Sequence, residues 1–284
     1  MKLIAIDMDG TLFNNEHIIT KANLQAIKDA QNAGHIVMLC SGRPHDALME
    51  FMKTEYDLEI PVAGSNGAIS YVGDKQIHSA SMDMDLASSL FDYLQHGKHP
   101  FKLYTNQGSF NIDSFVERTE KDFYALPKEI TKDHDVKKFT EYLASIGSQS
   151  FTDFEELSTK EGLEIFKFFV STLIPARKAE IESHLRTLQG PLNFTSSAIH
   201  NVEIMSDSGH KGTGLREMAK HFGIPMEHTV AIGDNFNDVP MLEVAGLSVA
   251  MGNAEPEVKA LCDVVTKSNN ENGVAFAIRE YVLK

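Results

Sequence analysis

The stretch Leu3-Ile4-Ala5-Ile6-Asp7-Met8-Asp9-Gly10-Thr11 decides how this chain folds. Four apolar residues in succession, ended by a glycine-containing turn, suit a strand covered on both faces, as in a parallel sheet. Asp7 and Asp9 then stand at the carboxyl end of a central strand, where ligands bind in open α/β sheets. Strand alternation puts both acids on one side of the chain, and Gly10 adopts whatever backbone angles the exit requires. Two carboxylates held close repel, so a cation or a proton must accompany them. A divalent metal is the usual partner, and magnesium takes few protein ligands while keeping several waters. In isolation Asp9-Gly10 also reads as an ordinary turn and Asp7 as a cap, so the weight falls on the rest of the chain.

Outward from that stretch, strand and helix alternate. A helix is expected over 21–32, closed by Gly34, then a buried strand at 36–40 that ends in Ser41-Gly42-Arg43-Pro44. Pro44 suits the start of a second helix, a short strand follows at 60–63, and β-prone pieces lie at 69–72 and 76–78. The same rhythm resumes after residue 206: helix from 212, strand at 229–232, helix over 235–244, strand at 247–250, helix from 256, strand at 264–265 and a last helix from 273. This is the pattern of a Rossmann-like, doubly wound parallel sheet. Residues 83–205 follow another rhythm, with hairpin-like strands at 102–105 and 110–112 and further strands at 165–170, 194–196 and 202–205. The expected organisation is a discontinuous core, 1–82 with 206–284, carrying an inserted α+β domain over 83–205.

The composition is that of an ordinary globular chain: 284 residues, 42% hydrophobic and 23% charged. A net charge of −14 argues against nucleic acid or an anionic membrane as partner, since both need clustered Lys and Arg. Two cysteines imply no disulfide framework, and Cys40 and Cys262 read as small buried hydrophobes. No apolar run is long enough to span a bilayer and no leader pattern opens the chain, so a cytoplasmic setting is expected. The twelve histidines show no metal-ligand spacing.

Four strand or helix ends in the core carry polar groups: Asp7 with Asp9, Ser41-Gly42, Lys211, and Gly233-Asp234 with Asn237 and Asp238. Parallel strands present their carboxyl ends along one edge, so these distant segments can share a crevice. Asp234 and Asp238 are four residues apart and would lie on one face of a first helical turn, although Asp234 or Asn235 also suits a cap. Taken with Asp7, they favour a shared magnesium with Asp7 and Asp234 as direct ligands. Ser41 and Gly42 offer a hydroxyl and backbone amides ahead of a helix, a cradle for phosphate, and Lys211 adds a point charge.

These residues resemble the four motifs of the haloacid dehalogenase superfamily of phosphatases: Asp7-Met8-Asp9-Gly10-Thr11, Ser41-Gly42-Arg43, His210-Lys211-Gly212, and Gly233-Asp234-Asn235-Phe236-Asn237-Asp238. The insert between the second and third motifs is similar to the larger C2-type cap, and the last motif with Pro240-Met241-Leu242 resembles the Cof-type subfamily. The resemblance implies that Asp7 is a nucleophile forming an aspartyl-phosphate and that Asp9 is the acid and base. It further implies Mg2+ held by the Asp7 and Asp234 carboxylates and the Asp9 carbonyl, with Asp238 as an orienting group. Ser41, the Met8 and Gly42 amides, Lys211 and Asn237 would bind the phosphoryl oxygens, and the insert would act as a lid. Hydrolysis of a small phosphorylated metabolite is the expected activity. A sugar phosphomutase-like transferase and a non-catalytic phosphometabolite-binding module stay open as alternatives. Hairpin ends at 104–110 and 194–200 are candidate substrate contacts. Phe236 and His210 depart from the subfamily pattern beside the motifs without touching a catalytic role.

Overall fold

The computed structural model describes residues 1–131, 136–137, 140, 149–188, 190–197 and 200–284. In chain order the strands are β1 (Leu3–Ile6), β2 (Ile36–Cys40), β3 (Val62–Gly64), β4 (Ile69–Val72), β5 (Lys75–Ser79), β6 (Phe101–Thr105), β7 (Gly108–Ile112), β8 (Gln149–Phe151), β9 (Ile165–Ser171), β10 (Leu192–Thr195), β11 (Asn201–Ser206), β12 (Thr229–Gly233), β13 (Leu247–Ala250) and β14 (Val264–Val265). The chain divides into two compact units, Met1–Ser79 with Gly209–Lys284, and Ala80–Ser208.

The first unit is built on an eight-stranded sheet in the order β14-β13-β12-β1-β2-β3-β4-β5. All pairings from β14 to β3 are parallel, and β3, β4 and β5 pair antiparallel at one end. Every residue of β1 is buried, as the apolar run required. The chain runs from β1 toward β2 and β3 on one side, while β12 to β14 extend the other side, so the strand order reverses beside β1. Such a switch point opens a crevice at the strands' carboxyl ends. The register aligns Ile6 with both Leu39 and Ile232, so Asp7 leaves the sheet level with Cys40 and Gly233. Helices Lys21–Asn32 and Gly273–Tyr281 pack together, as do Lys211–Phe222 and Val239–Val244. The Thr20 hydroxyl caps the first of these by accepting from the Asn23 amide at 3.2 Å.

The second unit is a six-stranded sheet in the order β10-β11-β9-β6-β7-β8, antiparallel except between β7 and β8. Phe101, Leu103, Phe168, Val170 and Ile204 alternate onto one face and join an apolar cluster with Leu90, Phe91 and Leu94 of the helix Met84–His96. The intervening positions carry Lys102, Tyr104, Lys167 and Glu203, all buried. Lys167 Nζ donates to Glu203 Oε2 at 3.0 Å and lies 4.4 Å from the Tyr104 ring centre. β8 is absent from the sequence reading because three residues are too few for a periodic signal. Among the described residues no helix is long and apolar enough to cross a membrane.

Candidate active site

Asp7 continues the β1 ladder with one bond, donating its amide to the Ile232 carbonyl at 3.0 Å, and the chain then turns over Met8–Leu12. Gly10 sits in that turn at φ +83, where a side chain would be strained and would also run into the Asp234 carboxylate. Absence of a Cβ therefore brings two acid-bearing segments together. Thr11 Oγ1 donates to Asp234 Oδ1 at 2.8 Å, tying the first segment to the last.

Lys211, the first residue of the helix Lys211–Phe222, is completely buried. Its ammonium donates to Asp7 Oδ1 and to Asp238 Oδ1, each at 2.5 Å. The other oxygen of Asp238 accepts the Asp234 amide at 2.8 Å and the Asn235 amide at 3.0 Å. Asp234 and Asp238 are thus not paired on a helical face, as their spacing had suggested. Asp234 precedes the helical turn Phe236–Asp238, and Asn235 and Asp238 close a capping box across it. With both oxygens engaged, Asp238 orients its neighbours.

Burial, followed by repulsion from Asp238, raises the carboxyl of Asp234 to about 7. The same two causes, in the same order, push Asp7 well above the usual carboxylate range. Asp238 and Asp7 hold the Lys211 ammonium charged in spite of its burial, raising its affinity for the proton. Burial and repulsion from Asp238 thus favour the protonated forms of both carboxyls.

The Asp9 carboxylate is held outside this cluster. Arg43 grips it with both arms, Nε to Oδ2 at 2.8 Å and a terminal nitrogen to Oδ1 at 2.6 Å, with the Arg43 side chain 33% and that of Asp9 48% exposed. The guanidinium also lies 5.3 Å from the Phe13 ring centre. Ser41 is buried, and its hydroxyl accepts the Arg43 amide at 3.3 Å. Gly42 follows β2 ahead of the helix His45–Tyr56, and Met8 opens the turn Met8–Leu12. Asn237 donates through Nδ2 to Asn66 Oδ1 at 3.4 Å, and the Asn66 amide donates to the Ser41 carbonyl at 2.9 Å. Asn237 and Ser41 are therefore joined through Asn66, a residue that carried no signal of its own in the sequence. Arg43 had been quoted without a role; its position after a strand end, beside a hydroxyl, was the available signal.

Oxygens of Asp7, Asp234 and Asp238 lie within 4.8 Å of one another. The donor set suits a hard divalent cation: all ligands are oxygen, and the four carboxylates face two cations, Lys211 and Arg43. Among the described residues, the second oxygens of Asp7 and Asp234 have no hydrogen-bond partner, which leaves two of the three groups expected to hold the metal available for it. Cys40 is buried, and burial pushes its thiol up to about 12, which disfavours the thiolate that a nucleophile needs. Of the candidates in the insert, Tyr104 is buried against Lys167, and Ala198 and Ile199 fall outside the described residues.

The family described as haloacid dehalogenase-like hydrolases matches residues 4–278. The chain is 35% identical to the 5-amino-6-(5-phospho-D-ribitylamino)uracil phosphatase YwtE of Bacillus subtilis (strain 168), over 98% of this chain and 97% of that one. It is 30% identical to phosphatase YwpJ of the same organism, over 98% and 99%. A solved haloacid dehalogenase-like hydrolase from B. subtilis superposes with a TM-score of 0.85 at 28% identity, covering 99% of this chain and 100% of the other. A subclass IIB sugar phosphatase shares the fold, with a TM-score of 0.78 at 23% identity over the full length of both chains.

Proposed function

The chain belongs to the haloacid dehalogenase-like hydrolases and is a phosphoric monoester hydrolase, and from that premise we propose a Mg2+-dependent phosphatase acting on a small phosphorylated metabolite through a phosphorylated Asp7. One observation carries the reading: the Lys211 ammonium lies between Asp7 and Asp238 at 2.5 Å from each, beside Asp234. A nucleophilic carboxylate, a fixed cation and a carboxylate pair fit for a metal stand at one switch point.

Asp7 Oδ attacks phosphorus and the bond to the ester oxygen breaks, leaving the phosphoryl group on Asp7. Asp9 delivers a proton to the departing oxygen. It then takes one from the water that attacks the acyl phosphate, which frees inorganic phosphate and restores Asp7. The bidentate grip of Arg43 sets where the Asp9 carboxyl stands. The Asp7 and Asp234 carboxylates with the Asp9 carbonyl would hold Mg2+, whose charge, when bound, lowers the repulsion between phosphate and carboxylates. Lys211, the Ser41 hydroxyl, the Met8 and Gly42 amides and the Asn237 amide supply donors for phosphoryl oxygens, so most of the catalysis is positioning and charge stabilisation.

Incubation with magnesium and p-nitrophenyl phosphate tests the class of reaction. Phosphate release by the wild type that is lost in Asp7→Asn supports the reading, and equal release by both defeats it. A panel of phosphorylated metabolites tests the substrate, beginning with 5-amino-6-(5-phospho-D-ribitylamino)uracil, after which a relative is named. Transfer of the phosphoryl group to sugar in place of water would favour the mutase alternative.

A further inference from the structure

Three successive residues after β3 take left-handed backbone angles: Ser65 at φ 50, Asn66 at φ 60 and Gly67 at φ 85. All three are buried. Non-glycine residues stay in that region only where their surroundings hold them, and such strain gathers at working sites. Here the Ser65 amide donates to the Arg43 carbonyl at 2.8 Å and the Asn66 amide to the Ser41 carbonyl at 2.9 Å. On the other side Gly67 packs against the backbone of His210 and Lys211 too closely for any side chain. The turn is thus wedged between the loop that carries Ser41 and the helix that begins at Lys211.

From that position Asn66 Oδ1 accepts one N–H of Asn237, a contact between buried side chains 171 residues apart in the chain. We propose that Asn66 is a positioning residue, which turns the Asn237 carboxamide so that its remaining N–H is presented to a phosphoryl oxygen; this rests on the phosphatase reading above. A carboxamide has two N–H donors on one planar nitrogen, so fixing one fixes the direction of the other. At 3.4 Å the bond is long, and its effect is orientation more than attraction. Glycine would satisfy the backbone at position 66 without strain, but only a side chain with an acceptor can reach Asn237. Asparagine combines tolerance of the left-handed region with that acceptor.

Asn66→Gly keeps the backbone and removes the acceptor. In magnesium with p-nitrophenyl phosphate, N66G is expected to raise KM and the inhibition constant of inorganic phosphate about tenfold, with the thermal midpoint held. The double variant N66G with N237A should fall no more than about twofold below N237A alone, because the oriented amide is then already gone. A second readout needs no turnover: the side-chain amide resonances of Asn237, identified by their loss in N237A, should shift in N66G. Unshifted Asn237 resonances, or effects of N66G and N237A that simply multiply, overturn the assignment. Absence of phosphate release from the wild type would count against the phosphatase reading, and the amide resonances would still decide whether Asn66 positions Asn237.

Discussion

Lys211 Nζ lies 2.5 Å from Asp7 Oδ1, and neither side chain is more than 7% exposed. The bond joins residues 204 apart in sequence, and the same ammonium reaches Asp238. Burial makes the pair strongly interdependent, since removing one member leaves the other charge without compensation.

Lys211→Met therefore has two expected consequences. Stability of the metal-free protein falls by about 3–5 kcal/mol, as buried Asp7 and Asp238 lose their cation. Activity with p-nitrophenyl phosphate falls by about 100-fold or more, the loss typical of a fixed donor at developing charge. Denaturant unfolding and initial rates check both; unchanged stability would show that the lysine serves only as a phosphate contact.

Asp234 makes stability depend on pH in a definite sense. Its carboxyl is raised from an ordinary 3.8 to about 7 in the folded state, and Asp7 is raised as well. The stability tied to such acids is fully present below their unfolded values and is lost as pH rises through the folded ones. Metal-free protein should thus unfold at a lower temperature at about pH 8 than at about pH 5, and magnesium should raise the midpoint more at the higher pH. Thermal unfolding with magnesium and with a chelator checks this. An equal effect of magnesium at both pH values would contradict the site.

Arg43 holds Asp9 by two bonds, a geometry that a lysine cannot reproduce. Arg43→Ala and Arg43→Lys are both expected to lower kcat by about tenfold or more with the fold intact, within the range of general acid–base contributions. Full activity of Arg43→Lys would show that charge alone suffices.

Lys102 offers a test away from the core. It is buried in β6, desolvation lowers its ammonium to about 7, and Nζ lies 4.8 Å from the centre of the Phe115 ring. Below about pH 7 the folded state carries a desolvated charge, and the penalty fades as pH rises toward the unfolded value. Lys102→Met should raise the unfolding temperature by a few degrees at about pH 6, and the gain should shrink toward about pH 10. A gain independent of pH would mean that packing, not charge, sets the difference.

What was legible in the chain divides along physical lines. β1 and the acids after it could be read because a buried strand and its exit turn are local in sequence, and the same holds for Ser41 after β2 and Asp234 after β12. Lys211 could be named as a cation but not as the partner of Asp7 and Asp238, since only the folded register brings those segments together. The spacing of Asp234 and Asp238 misled because the helical turn starts only after Asn235, which closes a capping box with Asp238 three residues on and leaves Asp234 ahead of the turn. Asn66 was hidden in a turn whose consequence depends on Asn237, far along the chain.

The central claim is that Asp7 becomes phosphorylated, and the most direct test is to trap it. Protein mixed with magnesium and substrate, quenched rapidly in acid and digested, should yield the peptide containing Asp7 heavier by one phosphoryl group, with no such species from Asp7→Asn. A phosphoryl group found on another residue, or turnover retained by Asp7→Asn, would contradict the account.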